Sequence, residues 1–438
     1  MMIAFMFMLG QWFTMPVDSP ASGHQMWSCA IALDGLDNPH ISYGDVCGNP
    51  QVKHAWWNGV SWITEPIDPI NTIDGTTNTS ITLDDSGHIY IAYRSNAGLN
   101  LARWDGLIWT REVVDPEGNT GWFCSIALDA SGKPHISYMT DGVFIVKYAR
   151  WTGSSWDIRA VDSTGGCIST SLAIDAQGYP HIAYVAAAGL KYASWNGSSW
   201  DKAVVDATMM PWWGTSTSLA LDTLGLPHIS YYHLDSIELR YAHHDGFSWT
   251  VENVDTTVQG IQVWNSIAVD GVGIPHIAYR ARYGMTTDCM RYASRGVSSW
   301  DMEPINGSVY VEGNDGKNDR FLVIGADDCP RVAFAAGGTL NWLKYAHRGC
   351  PPLGVGEESN WGESLRFRTV GQRLYVFTRS EILASLEIYD ASGRLVQSLH
   401  DGLLEPGEHI FAPEPATRGV YIALLRHPGG TQTLKLVR

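Results

Sequence analysis

Seven times in this chain a tryptophan is followed five residues later by Val or Ile, and then by Asp or Asn. The pairs are Trp12/Val17, Trp62/Ile67, Trp109/Val114, Trp156/Val161, Trp200/Val205, Trp249/Val254 and Trp300/Ile305. Asp18, Asp68, Asp115, Asp162, Asp206, Asp255 and Asn306 close the units. An internal repeat of this period constrains the architecture before any single residue is weighed. It also tells against reading any one repeated His or Asp as catalytic.

Within a unit the apolar runs are short, β-branched and aromatic. The third copy reads Ser125–Asp129, a turn, Pro134–Tyr138, Val146–Ala149, then Trp151 to Trp156 and on to Asp162. Gly and Pro separate the runs, and the Asp-x-x-Gly-x-Pro turn is tight, so the unit reads as a four-stranded antiparallel meander. The anchors of the second strand are His40, Tyr90, His135, His181, His228, His276 and Arg331, spaced 45 to 55 residues apart. Seven such units predict an all-β, seven-bladed β-propeller over residues 11–350. The last repeat runs from Phe321 to Ala346 and has no Trp after it, while an isolated copy stands at Trp12–Asp18. The N-terminal strand is therefore expected to complete the seventh blade from outside and to remove the free edges of the ring.

The 45 Gly and 20 Pro suit a turn-rich β protein. A formal net charge of −16 without any Lys/Arg run excludes a nucleic-acid surface. No apolar stretch is long enough to span a bilayer as a helix. Residues 1–10 read either as a signal-peptide remnant or as an apolar lead-in to the first strand. Seven cysteines are present, none in a CxxC pair; Cys329 and Cys350 flank the last repeat and are placed to bridge in an exported protein. Residues 351–360 have linker composition, and 361–438 alternate apolar and polar residues as in a small β-sandwich.

The tail carries Ile388–Val396 (Ile-Tyr-Asp-Ala-Ser-Gly-Arg-Leu-Val), Leu404–His409, Arg418–Leu424 and a terminal Lys-Leu-Val-Arg. In this order the segments resemble the C-terminal sorting domain of type IX secretion cargo, an immunoglobulin-like sandwich. That resemblance implies export by the type IX machinery to the medium or the outer-membrane surface. The Trp-rich repeats resemble seven-bladed propellers of secreted bacterial proteins and, loosely, propeller lectins. The Ser-x-Asp-x-Gly-x-Thr-Trp box of sialidases is absent, and a propeller fold by itself decides no activity.

Asp34/His40, Asp129/His135, Asp175/His181, Asp222/His228 and Asp270/His276 each lie six residues apart across a turn. Five copies around a ring suit a structural carboxylate–imidazole contact, not an acid–base centre, and they do not converge as metal ligands must. The paired tryptophans such as Trp57/Trp62, Trp104/Trp109, Trp151/Trp156 and Trp195/Trp200 read as wedges between blades or, alternatively, as sugar-stacking faces. Function is sought in the loops that break the repeat. These carry Trp27, Arg94, Trp122, Trp212, Trp213, Tyr232, Trp264, Arg280 and Arg282, which form the expected ligand-binding face for a glycan or a surface protein. No catalytic residue, metal or cofactor is assigned. A glycan-active hydrolase or lyase on that face, and a non-catalytic adhesion scaffold, are the alternatives.

Overall fold

The computed structural model describes residues 12–18, 26–45, 51–68, 78–117, 119–209, 216–258, 264–283, 287–296, 298–305, 320–336 and 342–348, and further segments between 365 and 437. The chain divides into two compact units, residues 1–355 and 356–438.

All the regular structure described is β. Among the described residues of the first unit the strands form seven four-stranded antiparallel sheets, as in the blades of a β-propeller. Six are consecutive meanders spanning 26–68, 79–115, 120–162, 169–206, 217–255 and 265–304. The seventh comprises Leu322–Ile324, Pro330–Ala336 and Trp342–Arg348, and takes its outer strand from Trp12–Asp18. That strand lies antiparallel to 342–348, with Trp12 opposite Arg348 and Thr14 opposite Ala346. The innermost strands of all seven sheets line one cavity of about 710 Å³, each through a small or β-branched side chain: Ala32, Thr82, Ala127, Ala173, Ala220, Ala268 and Val323. Arg320 also lines it and donates to the Leu172 carbonyl of the fourth sheet.

The repeated residues tie sheet to sheet, and each does so for a physical reason. An inner strand has one edge without a ladder partner, and buried backbone N–H groups need acceptors. The serine of the Ser-Ile-Ala-Leu run supplies them. Ser80, Ser125, Ser171 and Ser218 accept N–H bonds of 2.8–3.2 Å from Ile126, Leu172, Leu219 and Ile267 of the following sheet. Where the seventh sheet meets the first, Phe321 replaces that serine, and the Ile31 N–H donates instead to the Arg320 carbonyl at 2.9 Å.

The Asp that ends each unit is a clamp. Tyr43, Tyr93, Tyr138, Tyr184, Tyr231 and Tyr279 donate to Asp18, Asp68, Asp115, Asp162, Asp206 and Asp255 of the preceding sheet at 2.6–2.9 Å. A cation from the third strand joins five of these pairs closely: Lys53, Lys147, Lys191, Arg240 and Arg291. Burial raises the Asp206 pKa, but bonds from Thr208, Tyr231 and Arg240 outweigh it and hold the carboxyl at about 2. The last repeat has Phe334 at the tyrosine position, and Asn306, which stands for the aspartate in the preceding unit, lies outside the described residues.

The second tryptophan of each pair is the wedge. Trp200, Trp249 and Trp300 meet Tyr148, Tyr192 and Tyr241 of the preceding sheet edge-on at 5.1–5.4 Å. Trp12 meets Tyr292 in the same way at 5.3 Å, so the N-terminal strand occupies the place that a fourth strand holds in the other sheets. Each such pair contributes about 0.5–1.5 kcal/mol beyond its buried area.

In the second unit, strands 365–370, 373–378 and 407–411 form one sheet, and 382–390, 395–404, 420–427 and 430–437 form another. Leu374 and Val376 of the first share a core with Leu386, Ile388, Ala423 and Leu425 of the second.

Candidate functional site

The structure places the Asp/His pairs within single sheets. In the third sheet Tyr148 Oη lies 2.5 Å from His135 Nδ1, and His135 Nε2 is 3.4 Å from Asp129 Oδ2. The same Tyr–His–Asp chain recurs as Tyr192–His181–Asp175, Tyr241–His228–Asp222 and Tyr292–His276–Asp270. The turn aspartates also accept backbone N–H groups of their own turns, as Asp129 does from Ser131 and Lys133. Burial pushes His135, His181, His228 and His276 below the ordinary imidazole range, against their aspartates. In the first sheet His54 replaces the tyrosine and lies between His40 at 3.0 Å and Glu65 at 3.1 Å. These chains repeat around the unit and do not converge. Among the described residues no group of three or more His, Cys, Asp or Glu could hold a metal.

On the variable-loop face, Arg94 is buried with its guanidinium 4.1 Å over the Trp122 ring. A bulge in the strand 120–128 carries Trp122 there, with Phe123 at φ 50°. Gly121 turns with φ 93°, and a Cβ on it would meet the Leu99 Cα at 3.0 Å, so no side chain is accommodated. Tyr232 and Trp264 are packed in the core at 0% and 3% exposure, so neither ring is presented to solvent. Arg280 is half-buried and its N–H donates to the Trp264 carbonyl. Trp212 and Trp213, and the side chains of Trp27 and Arg282, lie outside the described residues.

A concave site built from described residues lies at the opposite, tight-turn end, between the third and fourth sheets. It is a cavity of about 510 Å³. Strands His135–Arg150–Asp157 and Ser137–Tyr148–Arg159 are in register as two rows across the third sheet. Side chains of alternate residues share a face, so His135, Tyr148, Arg150 and Arg159 line one wall. The opposing wall is the turn Gln177–Pro180 and, at the end of the third strand, Trp195. Trp151 closes the rim, and Lys133 reaches in from the Asp129 turn. Tyr179 is 40% exposed.

Asp157 organises the basic wall. It accepts from Arg150 Nε at 3.1 Å, and from Arg159 Nε and Nη2 at 3.1 and 2.8 Å. These bonds hold its carboxyl below the ordinary range, the one from Arg159 first. Arg159 in turn lies 4.9 Å over the Trp195 ring, which fixes its plane. The arrangement offers flat aromatic surface beside forked donors, the combination that binds the apolar face and the polar rim of a sugar. Sequence reasoning considered Trp151 and Trp195 as stacking faces but missed Lys133, Arg150, Arg159 and Tyr179. The signal was available: aligned by repeat, the Arg159 position reads Glu65, Glu112, Arg159, Ala203, Glu252, Glu303 and Met15.

No family model matches the chain, and no curated protein matches it. Solved structures do. AofleA from Arthrobotrys oligospora is 12% identical with a TM-score of 0.46, over 68% of this chain and 90% of that one. The lectin of Aleuria aurantia, described as a six-bladed β-propeller with a fucose recognition mode, is 14% identical with a TM-score of 0.44, over 68% and 100%. The polysaccharide lyase Uly1 is 9% identical with a TM-score of 0.45, over 74% and 90%. At these scores and identities the likeness carries no argument about ligand or chemistry.

Proposed function

We propose that this is a glycan-binding protein whose first unit is a closed seven-bladed propeller, and that it binds saccharide in the cavity between the third and fourth sheets. The observation that carries the reading is the meeting of Trp151, Trp195 and Tyr179 with Arg150, Arg159 and Lys133 around one cavity of saccharide size. Binding is favoured over hydrolysis because both nearby carboxylates are engaged: Asp129 caps its turn and Asp157 is held by two arginines. A glycosidase needs two carboxylates free to face the scissile bond. Tyr148 and His135 are committed to each other, and burial drives the phenol up and the imidazole down, away from neutral pH.

Ring closure is supported by the pairing of Trp12–Asp18 with Trp342–Arg348 and by the contact of Trp12 with Tyr292. Export through a type IX sorting tail rests on the motif order in 361–438. It is further supported by Cys329, which is disulfide-bonded as suits an oxidising compartment; its expected partner Cys350 lies outside the described residues. Cys29, Cys124, Cys167 and Cys289 are buried.

The test is a glycan array on the intact protein, followed by calorimetry with the best hit. Trp195→Ala is expected to weaken binding roughly fivefold or more, since a stacked aromatic contributes about 1 kcal/mol or more. Absence of any saccharide binding by the folded wild type sinks the proposal.

A further inference from the structure

We infer that the cavity between the third and fourth sheets is specific for an acidic sugar, a uronate of a polysaccharide, whose carboxylate is taken by Arg150 and Arg159. The inference rests on the glycan reading above and narrows it to one chemical class.

The first ground is a charge reversal confined to this junction. At the position of Arg159, the fourth strands of the first, fifth and sixth sheets carry Glu65, Glu252 and Glu303. Each accepts the indole N–H of the next sheet's wedge tryptophan: Trp109 at 3.1 Å, Trp300 at 3.2 Å and Trp12 at 2.9 Å. In the third sheet arginine stands there, a donor where the junction calls for an acceptor. The Nε1 of Trp200 has no hydrogen-bond partner, as is also the case for the wedge tryptophans Trp62, whose junction has Met15 at this position, and Trp156; what sets this junction apart is the cation. Arg159 is the one cation at a position that the other repeats fill with Glu, Ala or Met, and a residue that breaks the pattern of the repeats marks a functional position.

The second ground is donor supply. Arg150 spends only Nε, on Asp157, and Arg159 spends Nε and Nη2 on the same carboxylate. Both Nη atoms of Arg150 and the Nη1 of Arg159 make no hydrogen bond within the protein among the described residues. Guanidinium forks match a carboxylate in shape and charge, and Asp157 and Trp195 hold these two in place before a ligand arrives.

The third ground is charge balance. Lys133, Arg150 and Arg159 face Asp129 and Asp157, while His135 is held neutral by burial. One positive charge is in excess, in a chain whose formal net charge is −16. A ligand with one carboxylate at the binding position neutralises it. A neutral sugar leaves it uncompensated.

The experiment compares an oligogalacturonate with the same oligosaccharide fully methyl-esterified, by calorimetry on the full-length protein at low and high salt. The expected result is roughly 10- to 100-fold tighter binding of the free acid, the range for charge-assisted hydrogen bonds. That preference is expected to shrink with salt and to vanish in Arg150→Ala and in Arg159→Glu, each checked for wild-type circular dichroism. Equal binding of acid and ester, lost in Trp195→Ala but untouched in Arg159→Glu, overturns the acidic specificity and leaves the glycan reading standing. Binding of neither probe, nor of any other saccharide, overturns both.

Discussion

The junction between the fifth and sixth sheets and the junction between the third and fourth are built on one plan and differ at one end. At the loop end they match: Tyr279 and Arg291 clamp Asp255 at 2.7 Å each, and Tyr184 and Lys191 clamp Asp162 at 2.9 and 2.8 Å. At the turn end they part. Glu252 accepts from Trp300 and pairs with Arg295 at 2.9 Å, which satisfies the wedge. Arg159 turns instead to Asp157 and Trp195 and leaves Trp200 without an acceptor. The difference teaches where a repeat protein can afford a site. The clamp is kept at both junctions, while the wedge bond, missing also for Trp62 and Trp156, is replaced here by a cation where a cavity opens.

The sharpest way to break this comparison is to remove a clamp. Asp255→Ala takes the Asp255 acceptor away from the buried Tyr279 and the half-buried Arg291. It is expected to cost about 3–5 kcal/mol in denaturant unfolding. A loss near zero means that the clamps do not hold the junctions. Trimming the exposed cavity rim instead, as in Tyr179→Ala, is expected to change stability little while weakening saccharide binding.

Acid offers a second test, at the junction of the first and second sheets. Burial, opposed by the bond to Glu65, holds His54 at about 4, well below its ordinary 6.5. The native state therefore binds this proton less readily than the unfolded chain. The stability due to neutral His54 is whole above pH 6.5 and is lost as pH falls towards 4, by roughly 3 kcal/mol. His54→Tyr installs the residue that five other sheets use at this position. It is expected to flatten the fall in melting temperature between pH 6.5 and 4, and an unchanged slope refutes the assignment. His347, also held at about 4 by burial and by Arg331, supplies part of what remains.

The smallest effect concerns the exception itself. Arg159→Glu recreates the Trp-Asp-x-Glu order of Trp300–Glu303 in the sixth sheet and gives Trp200 an acceptor. A gain of about 1 kcal/mol is expected, the net worth of one buried hydrogen bond. A variant that loses stability shows that Arg159 is a structural part of its junction.

Much of the fold was legible in the chain. Side chains alternate in a strand, so the period of Trp, Asp, His and Gly named the strands and their turns, and the isolated copy at Trp12 marked the outer strand of the last sheet. The site was less legible. Trp264 and Tyr232 read from the sequence as part of a loop binding face, yet the structure places Tyr232 inside the strand Pro227–His233 and buries both, because aromatic rings pack wherever apolar area is available. Arg159 and Arg150 sit in regular strands and look like surface charges. Only comparison among the repeats reveals that Arg159 stands where an acceptor belongs.

The sequence alone determined which residues form strands, which end of each unit turns tightly, and that the chain is built from one repeated meander. These follow from local preferences: φ restrictions of Gly and Pro, and a side-chain period of two. Only the tertiary structure decided which tryptophans fill a junction and which line a cavity. It also decided that Arg150 and Arg159 of one sheet face Trp195 of the next. Those relations join residues about 40 apart in sequence across two packed sheets, and no local rule reaches that far.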